Sequence, residues 1–241
     1  MTIYRFDSME ATARTLAARV ADAVRDRPAL VLGLPAGRTM IPVYEALRNM
    51  HQRGAIDPSR IRTFQVDEFV GLSSRRGSFR EFLDQHLLTD FGIDEPRAQF
   101  LDGNADPVSE CARYENAILS AGGVDLQLLG IGRNGHIGFN EPGPTLRART
   151  HLVTLHEETR RSNVAWFDGE LARVPREALS MGMETLLEAR SVALIAAGED
   201  KADAIRRAVE GPISTEVPAS FLQSHRQVEV YLDRAAASGL R

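Results

Sequence analysis

Five short apolar runs, separated by stretches with helical spacing, constrain the fold of this chain most strongly. They are Ala29–Leu34, Ile61–Val66, Val124–Ile131, Ser191–Ala197 and Val228–Leu232. Most of them are apolar in nearly every position rather than alternating, the pattern of a strand buried on both faces, while Ile61–Val66 carries Arg62, Thr63 and Gln65 between its apolar residues. Weaker strand signals lie near Ala98–Leu101 and Leu152–Leu155. The segments between them predict amphipathic helices over Ser8–Arg25, Thr39–Arg53, Ser78–Phe91, Pro107–Ala121, Glu157–Phe167 and Asp200–Glu210. Strands that alternate with helices pair in parallel through right-handed crossovers, which puts helices on both faces of the sheet. The expected class is therefore α/β, a doubly wound, mostly parallel sheet. With 241 residues and no Pro-, Gly- or Ser-rich linker, a single domain over 1–241 is expected.

Composition narrows the partners. The formal charge is −4 and the basic residues are scattered rather than striped, so nucleic acid is not expected as a partner. The single cysteine, Cys111, cannot form an intrachain disulfide or a cysteine-cluster metal site. The N-terminal residues lack a signal-peptide pattern, and no run reaches the roughly 20 apolar residues of a membrane helix. No membrane contact and a cytoplasmic location are expected.

Three of the predicted strands end in polar chemistry, at the edge where open α/β sheets bind small molecules. The first runs into Gly33-Leu34-Pro35-Ala36-Gly37-Arg38-Thr39 and then a helix. A glycine turn at a helix start offers backbone N–H groups and the positive end of a helix dipole to an anion such as phosphate, with Arg38 and Thr39 beside it. A plain strand–helix turn would look much the same. The second ends in Asp67-Glu68. Carboxylates there are often only solvated turn residues, but one beside an apolar strand end is partly desolvated, which moves its pKa toward the range of a general base. The third opens into Gly130-Ile131-Gly132-Arg133-Asn134-Gly135-His136-Ile137-Gly138-Phe139-Asn140-Glu141-Pro142. There Glu141 can fix the tautomer of His136, so that the imidazole moves protons near neutral pH; the bland alternative is a histidine satisfying loop carbonyls. The other five histidines (His51, His86, His151, His156, His225) fall in predicted helices or outside these loops with no ligand spacing, so no metal site is expected.

Taken in order, Leu32–Thr39, Phe64–Leu72, Leu128–Pro142, Thr159–Phe167 with Val174–Pro175 and Ala178–Leu187, and Gly198–Gly211 resemble the successive motifs of the glucosamine-6-phosphate deaminase/isomerase family. The most specific pieces are Val66-Asp67-Glu68-Phe69-Val70-Gly71-Leu72 and Asn134 to Pro142; the related 6-phosphogluconolactonases lack the Phe-Asn-Glu-Pro ending. The resemblance implies a Rossmann-like fold and a cofactor-free reaction on a 2-amino-2-deoxyhexose 6-phosphate, with glucosamine 6-phosphate the first candidate and galactosamine 6-phosphate the second. It assigns Asp67 as the base that carries a proton from C2 to C1, and His136, Glu141 and Asn134 as the ring-opening group. Gly37, Arg38, Thr39 and Lys201 would hold the 6-phosphate. The residues leave the oligomeric state open, a homo-oligomer included.

Two departures stand out. Ala165 occupies the place of an arginine that usually clamps the phosphate, and Asn134 the place of an aspartate found in some members. Losing a bidentate guanidinium weakens a phosphate site unless something replaces it, and Arg38 is the replacement expected here. Pro144, His151 and Val153 replace small polar or basic residues of the allosteric site of hexameric bacterial members, so activation by N-acetylglucosamine 6-phosphate is not expected. Two further readings stay open. One is a 6-phosphogluconolactonase-like hydrolase; the other is a non-catalytic sugar-phosphate sensor, which would usually carry a DNA-binding module ahead of the fold.

Overall fold

The computed structural model describes all 241 residues. Seven parallel strands form the central sheet: β1 (Thr2–Phe6), β2 (Val31–Leu34), β3 (Arg62–Gln65), β5 (Ala98–Gln99), β6 (Leu126–Leu129), β9 (Ser191–Ala196) and β10 (Val228–Asp233), in the order β1-β10-β9-β6-β2-β3-β5. A small antiparallel sheet of β4 (Asp67–Phe69), β8 (Glu177–Ser180) and β7 (His151–Thr154) stands beside it. The chain moves outward from β2 to β3 and β5, then returns to β6 on the other side of β2. The strand order thus reverses between β2 and β6, and in open sheets the crevice beyond that point is the ligand site.

Helices cover both faces. On one, α1 (Met9–Asp26), α2 (Ile41–Gln52), α3 (Phe79–Leu83) and α4 (Thr89–Phe91) bury Leu16, Val20, Tyr44, Leu47, Leu83 and Phe91 against Leu32, Leu34, Leu126, Leu128 and Ile195. On the other, α5 (Pro107–Ser120), α7 (Met183–Leu187) and α8 (Ala202–Glu210) bury Tyr114, Leu186 and Ile205 against Phe64, Leu129, Val192, Leu194 and Val230. Neighbouring β9 residues Val192, Ala193, Leu194 and Ile195 alternate between these two clusters, which is why that run is apolar without a break. Each such side chain contributes about 1.5–3 kcal/mol by leaving water.

Several expected boundaries shift. The predicted helix Ser78–Phe91 is interrupted between α3 and α4 by a π turn at Asp84–Leu88. Glu157–Phe167 is a short helix α6 (Glu157–Ser162) followed by a 3-10 turn, Val164–Phe167, closed by Asp168 at φ +54°. The run Val124–Ile131 yields only Leu126–Leu129 as strand, because Gly130 onward leaves the sheet for the loop. Leu152–Leu155 contributes to β7 in the antiparallel sheet, not to the parallel one.

Candidate active site

The ends of β9, β6 and β2, neighbours in the sheet, bring three loops to one edge. After β2, Gly37 takes φ +131°, a conformation that favours glycine, and Arg38–Met40 form a 3-10 turn that enters α2. The Pro35 carbonyl in this turn accepts the Tyr44 hydroxyl at 2.6 Å. Arg38 is exposed and makes no ion pair, and Thr39 is half-buried. After β9, Glu199–Lys201 form a matching turn. Lys201 Nζ reaches across to donate to the Ile131 carbonyl at 2.8 Å, and burial pushes its ammonium pKa down. Beside it, Arg133 pairs with Asp200 at 2.8 Å. The two anion-binding candidates, Gly37–Thr39 and Lys201, therefore flank the loop that follows β6.

That loop folds around Glu141. Asn134 Nδ2 donates to Glu141 Oε2 at 2.9 Å, and His136 Nδ1 lies 3.4 Å from the same oxygen. Asn134 Oδ1 also accepts the His136 backbone N–H at 3.2 Å, fixing the turn between them. The imidazole packs flat against Gly132, where an added Cβ would come within 2.3 Å of the ring. Burial alone would raise the pKa of Glu141. His136, Thr159 and Asn134 outweigh it and lower the carboxyl to about 2, so it is ionised at neutral pH. With Nδ1 turned to this carboxylate, Nε2 of His136 is left for a ligand. Contacts of this length are usual where a catalytic hydrogen bond tightens only on substrate.

Asp67 sits where the chain changes sheets. Val66 N–H still donates to Leu34 in the parallel sheet, and Asp67 begins β4. Its carboxyl is 6 % exposed and accepts no hydrogen bond from the protein. Burial, and secondarily the charge of Glu68, pushes its pKa well above the ordinary carboxylate range. Glu68 is the opposite case. It accepts four N–H donors, from the Gln65 side chain and the backbones of Phe69, Phe79 and Arg80, at 2.8–3.0 Å. Burial raises its pKa and those donors oppose the rise. Glu68 thus ties β4 to the start of α3, and it leaves Asp67 as the bare carboxyl of the pair.

The expected residues divide accordingly. Asn134, His136 and Glu141 come together, Lys201 touches their loop, and Asp67 stands at a neighbouring strand end. Arg38 and Ala165 are both exposed. Four contributors were not among the expected site residues. Glu68 holds β4, and Ser180 Oγ accepts the Phe139 N–H at 3.0 Å. Thr159 Oγ1 is 3.5 Å from His136 Nδ1. His156, which lies outside the three loops in the sequence, approaches the site in space: its Nδ1 is 3.7 Å from Glu141 Oε2, because α6 folds back over the loop. No group of three or more His, Cys, Asp or Glu side chains is arranged to hold a metal ion. A cavity of about 580 Å³ lies elsewhere, between Arg75, Arg80, Glu95, Asn104 and Arg113 at the β5 edge, and includes neither Asp67 nor His136.

Comparison with known proteins places the chain in a family. The family model described as glucosamine-6-phosphate isomerases/6-phosphogluconolactonase matches residues 5–231. A glucosamine-6-phosphate deaminase of Streptomyces coelicolor is 45% identical over 228 residues, 94% of this chain and 87% of the relative. Glucosamine-6-phosphate deaminase 2 of Bacillus subtilis is 41% identical, covering 100% of this chain and 98% of that one. Among solved structures, a monomeric glucosamine-6-phosphate deaminase superimposes with a TM-score of 0.94 at 39% identity, over 99% of this chain and 100% of that chain. The 6-phosphogluconolactonase of Trypanosoma brucei shares the fold, with a TM-score of 0.77 at 18% identity over 100% of this chain and 98% of that one.

Proposed function

Because the chain belongs to the family of glucosamine-6-phosphate isomerases and 6-phosphogluconolactonases, we infer from its site that it is a glucosamine-6-phosphate deaminase. It converts the amino sugar phosphate and water to the ketose 6-phosphate and ammonia. The observation that carries the mechanism is the bare, buried carboxyl of Asp67. Removing a proton from carbon needs a base stronger than a solvated carboxylate, and desolvation supplies that strength.

The ring opens first. His136 takes the proton of the anomeric hydroxyl and returns one to the ring oxygen, so it ends as it began. Glu141 holds the imidazole and stabilises its charged form, and Asn134 orients Glu141 without accepting a proton. Asp67 then removes the C2 proton from the open-chain aldehyde while a proton of the substrate ammonium passes to O1, giving an enolamine, and Asp67 delivers its proton to C1. The resulting C2 imine adds water and expels ammonia, leaving the ketone. No cofactor enters these steps. The 6-phosphate is held by the Gly37–Thr39 turn and Lys201 from either side of the β6 loop, and Arg38 takes the part of the missing clamp. Pro144, His151 and Val153 favour hyperbolic kinetics without activation by N-acetylglucosamine 6-phosphate; His151 Nδ1 is already engaged with the Arg149 carbonyl at 3.0 Å.

The test is a parallel assay of ammonia and ketose 6-phosphate from glucosamine, galactosamine and mannosamine 6-phosphates, with 6-phosphogluconolactone as the competing substrate. Stoichiometric ammonia and ketose from glucosamine 6-phosphate is the expected result. Lactone hydrolysis without ammonia release would replace this reading with the hydrolase one.

A further inference from the structure

We propose that His156 is a positioning residue of the ring-opening dyad, holding Glu141 in place from the α6 segment. This inference rests on the assignment of ring opening to His136 and Glu141. His156 occupies the position that precedes the first turn of α6, with extended backbone at φ −62° and ψ 148°. Serine, threonine, aspartate or asparagine normally stands there, because a short side-chain oxygen can accept an N–H of the first turn. The His156 side chain makes no such bond. It turns back instead, and its Nδ1 lies 3.7 Å from Glu141 Oε2, while its backbone N–H donates to Oε1 at 3.4 Å. One residue therefore approaches both oxygens of the carboxylate.

The surroundings give this contact a purpose. Glu141 Oε2 faces three nitrogens: Asn134 Nδ2 at 2.9 Å, His136 Nδ1 at 3.4 Å and His156 Nδ1 at 3.7 Å. Asn134 and His136 belong to the same short loop as Glu141, so they can shift with it. His156 belongs to a different element, and Thr159, on the next turn of α6, contacts His136 Nδ1 at 3.5 Å. The α6 segment is thus the outside reference against which both members of the dyad are set. The His156 ring is about half exposed, so packing does not account for its orientation. A group that orients a ligating or proton-moving partner from outside typically changes activity by about 10–100-fold when removed, with little effect on ground-state binding.

The experiment compares wild type, His156→Ser and His156→Asn on glucosamine 6-phosphate and on an analogue methylated at O5, which cannot close the pyranose ring. Serine caps the helix well but cannot reach Glu141, so it separates a capping role from a positioning one. Asparagine places an N–H donor near the position of the histidine Nδ1. For His156→Ser the expected result is a kcat about tenfold lower on the cyclic sugar, with KM changed less than about twofold. Its thermal midpoint should equal or exceed wild type, and its turnover of the O5-methyl analogue should be unchanged. His156→Asn should recover most of the lost kcat. A His156→Ser enzyme with wild-type kcat on the cyclic sugar, or with equal losses on both substrates, overturns the inference while the deaminase reading stands. A wild-type enzyme that releases no ammonia from either substrate overturns that reading, and this inference with it.

Discussion

Asp67 and Ser180 are register partners across the β4–β8 ladder, and the Ser180 hydroxyl also accepts the Phe139 N–H at 3.0 Å. One fully buried serine therefore sets the proposed base and the loop of the proposed ring-opening dyad against a single reference. Ser180→Ala would leave the Phe139 N–H buried and unpaired and would remove the donor to the Met181 carbonyl. A loss of about 1–3 kcal/mol in urea unfolding is expected, the usual size for an orphaned buried donor. The lower kcat that should accompany it comes from displacement of Gly138 and Phe139 relative to Asp67. Unchanged unfolding would show that the loop finds another acceptor.

Asp67 should lower the stability of the fold it serves. Its folded pKa lies well above the ordinary 3.8, so the folded state binds the proton more tightly than the unfolded chain. The stability it contributes is fully present below the ordinary value and is lost as pH rises through the raised one. Asp67→Asn carries no such titration. The variant should match wild type near pH 4 and become the more stable of the two by pH 8, read as unfolding midpoints across that range. A gap that does not widen with pH would place the carboxylate in a better-solvated setting than burial implies.

Glu141 carries the opposite sign. Its folded pKa, about 2 against an ordinary 4.5, gives stability that is present above the ordinary value and lost as pH falls toward the depressed one. The ceiling on that contribution is about 3 kcal/mol from the size of the shift. Glu141→Gln should therefore be destabilised at pH 6 and lose its disadvantage in acid. It should also lose more turnover on cyclic glucosamine 6-phosphate than on the O5-methyl analogue. Equal kinetic losses would remove Glu141 from ring opening.

For the phosphate, Arg38 is the exposed, unpaired guanidinium next to Gly37, whereas Ala165 offers no charge. Arg38→Ala should weaken binding of a 6-phosphate ligand by about 1.5–3 kcal/mol, the worth of a charge-assisted hydrogen bond, and hardly touch the unphosphorylated sugar. Adding Ala165→Arg should restore part of the loss. Calorimetric titration of both ligands against wild type and the two variants decides it, and an Arg38→Ala enzyme that binds the phosphorylated ligand as tightly as wild type would end the assignment.

β2, β6, β9 and β10 were legible in the sequence because they are largely buried, which leaves mostly apolar runs, whereas β3, Arg62-Thr63-Phe64-Gln65, was marked mainly by Phe64 and its apolar flanks Ile61 and Val66. β1 was not legible, since Thr2-Ile3-Tyr4-Arg5-Phe6 is a half-exposed edge with one neighbour, β10. Nor were β4 and β8. Asp67-Glu68-Phe69 looks like a polar turn until Glu68 finds its donors eleven and twelve residues on, at Phe79 and Arg80. His136 and Glu141 could be paired from spacing alone because they share a loop. His156 could not, because its approach to Glu141 depends on where α6 packs.

The central claim is that Asp67 moves the C2 proton, and the most direct test runs the reaction in D2O with wild type and Asp67→Asn at equal substrate occupancy. Isotope is followed at C2 of recovered glucosamine 6-phosphate and at C1 of the ketose. Wild type should exchange and turn over, whereas Asp67→Asn should bind substrate comparably, show no exchange at C2 and lose about 10²–10⁴ in kcat. Exchange at C2 and turnover near wild-type rates in the variant would contradict the assignment and move the base elsewhere in the site.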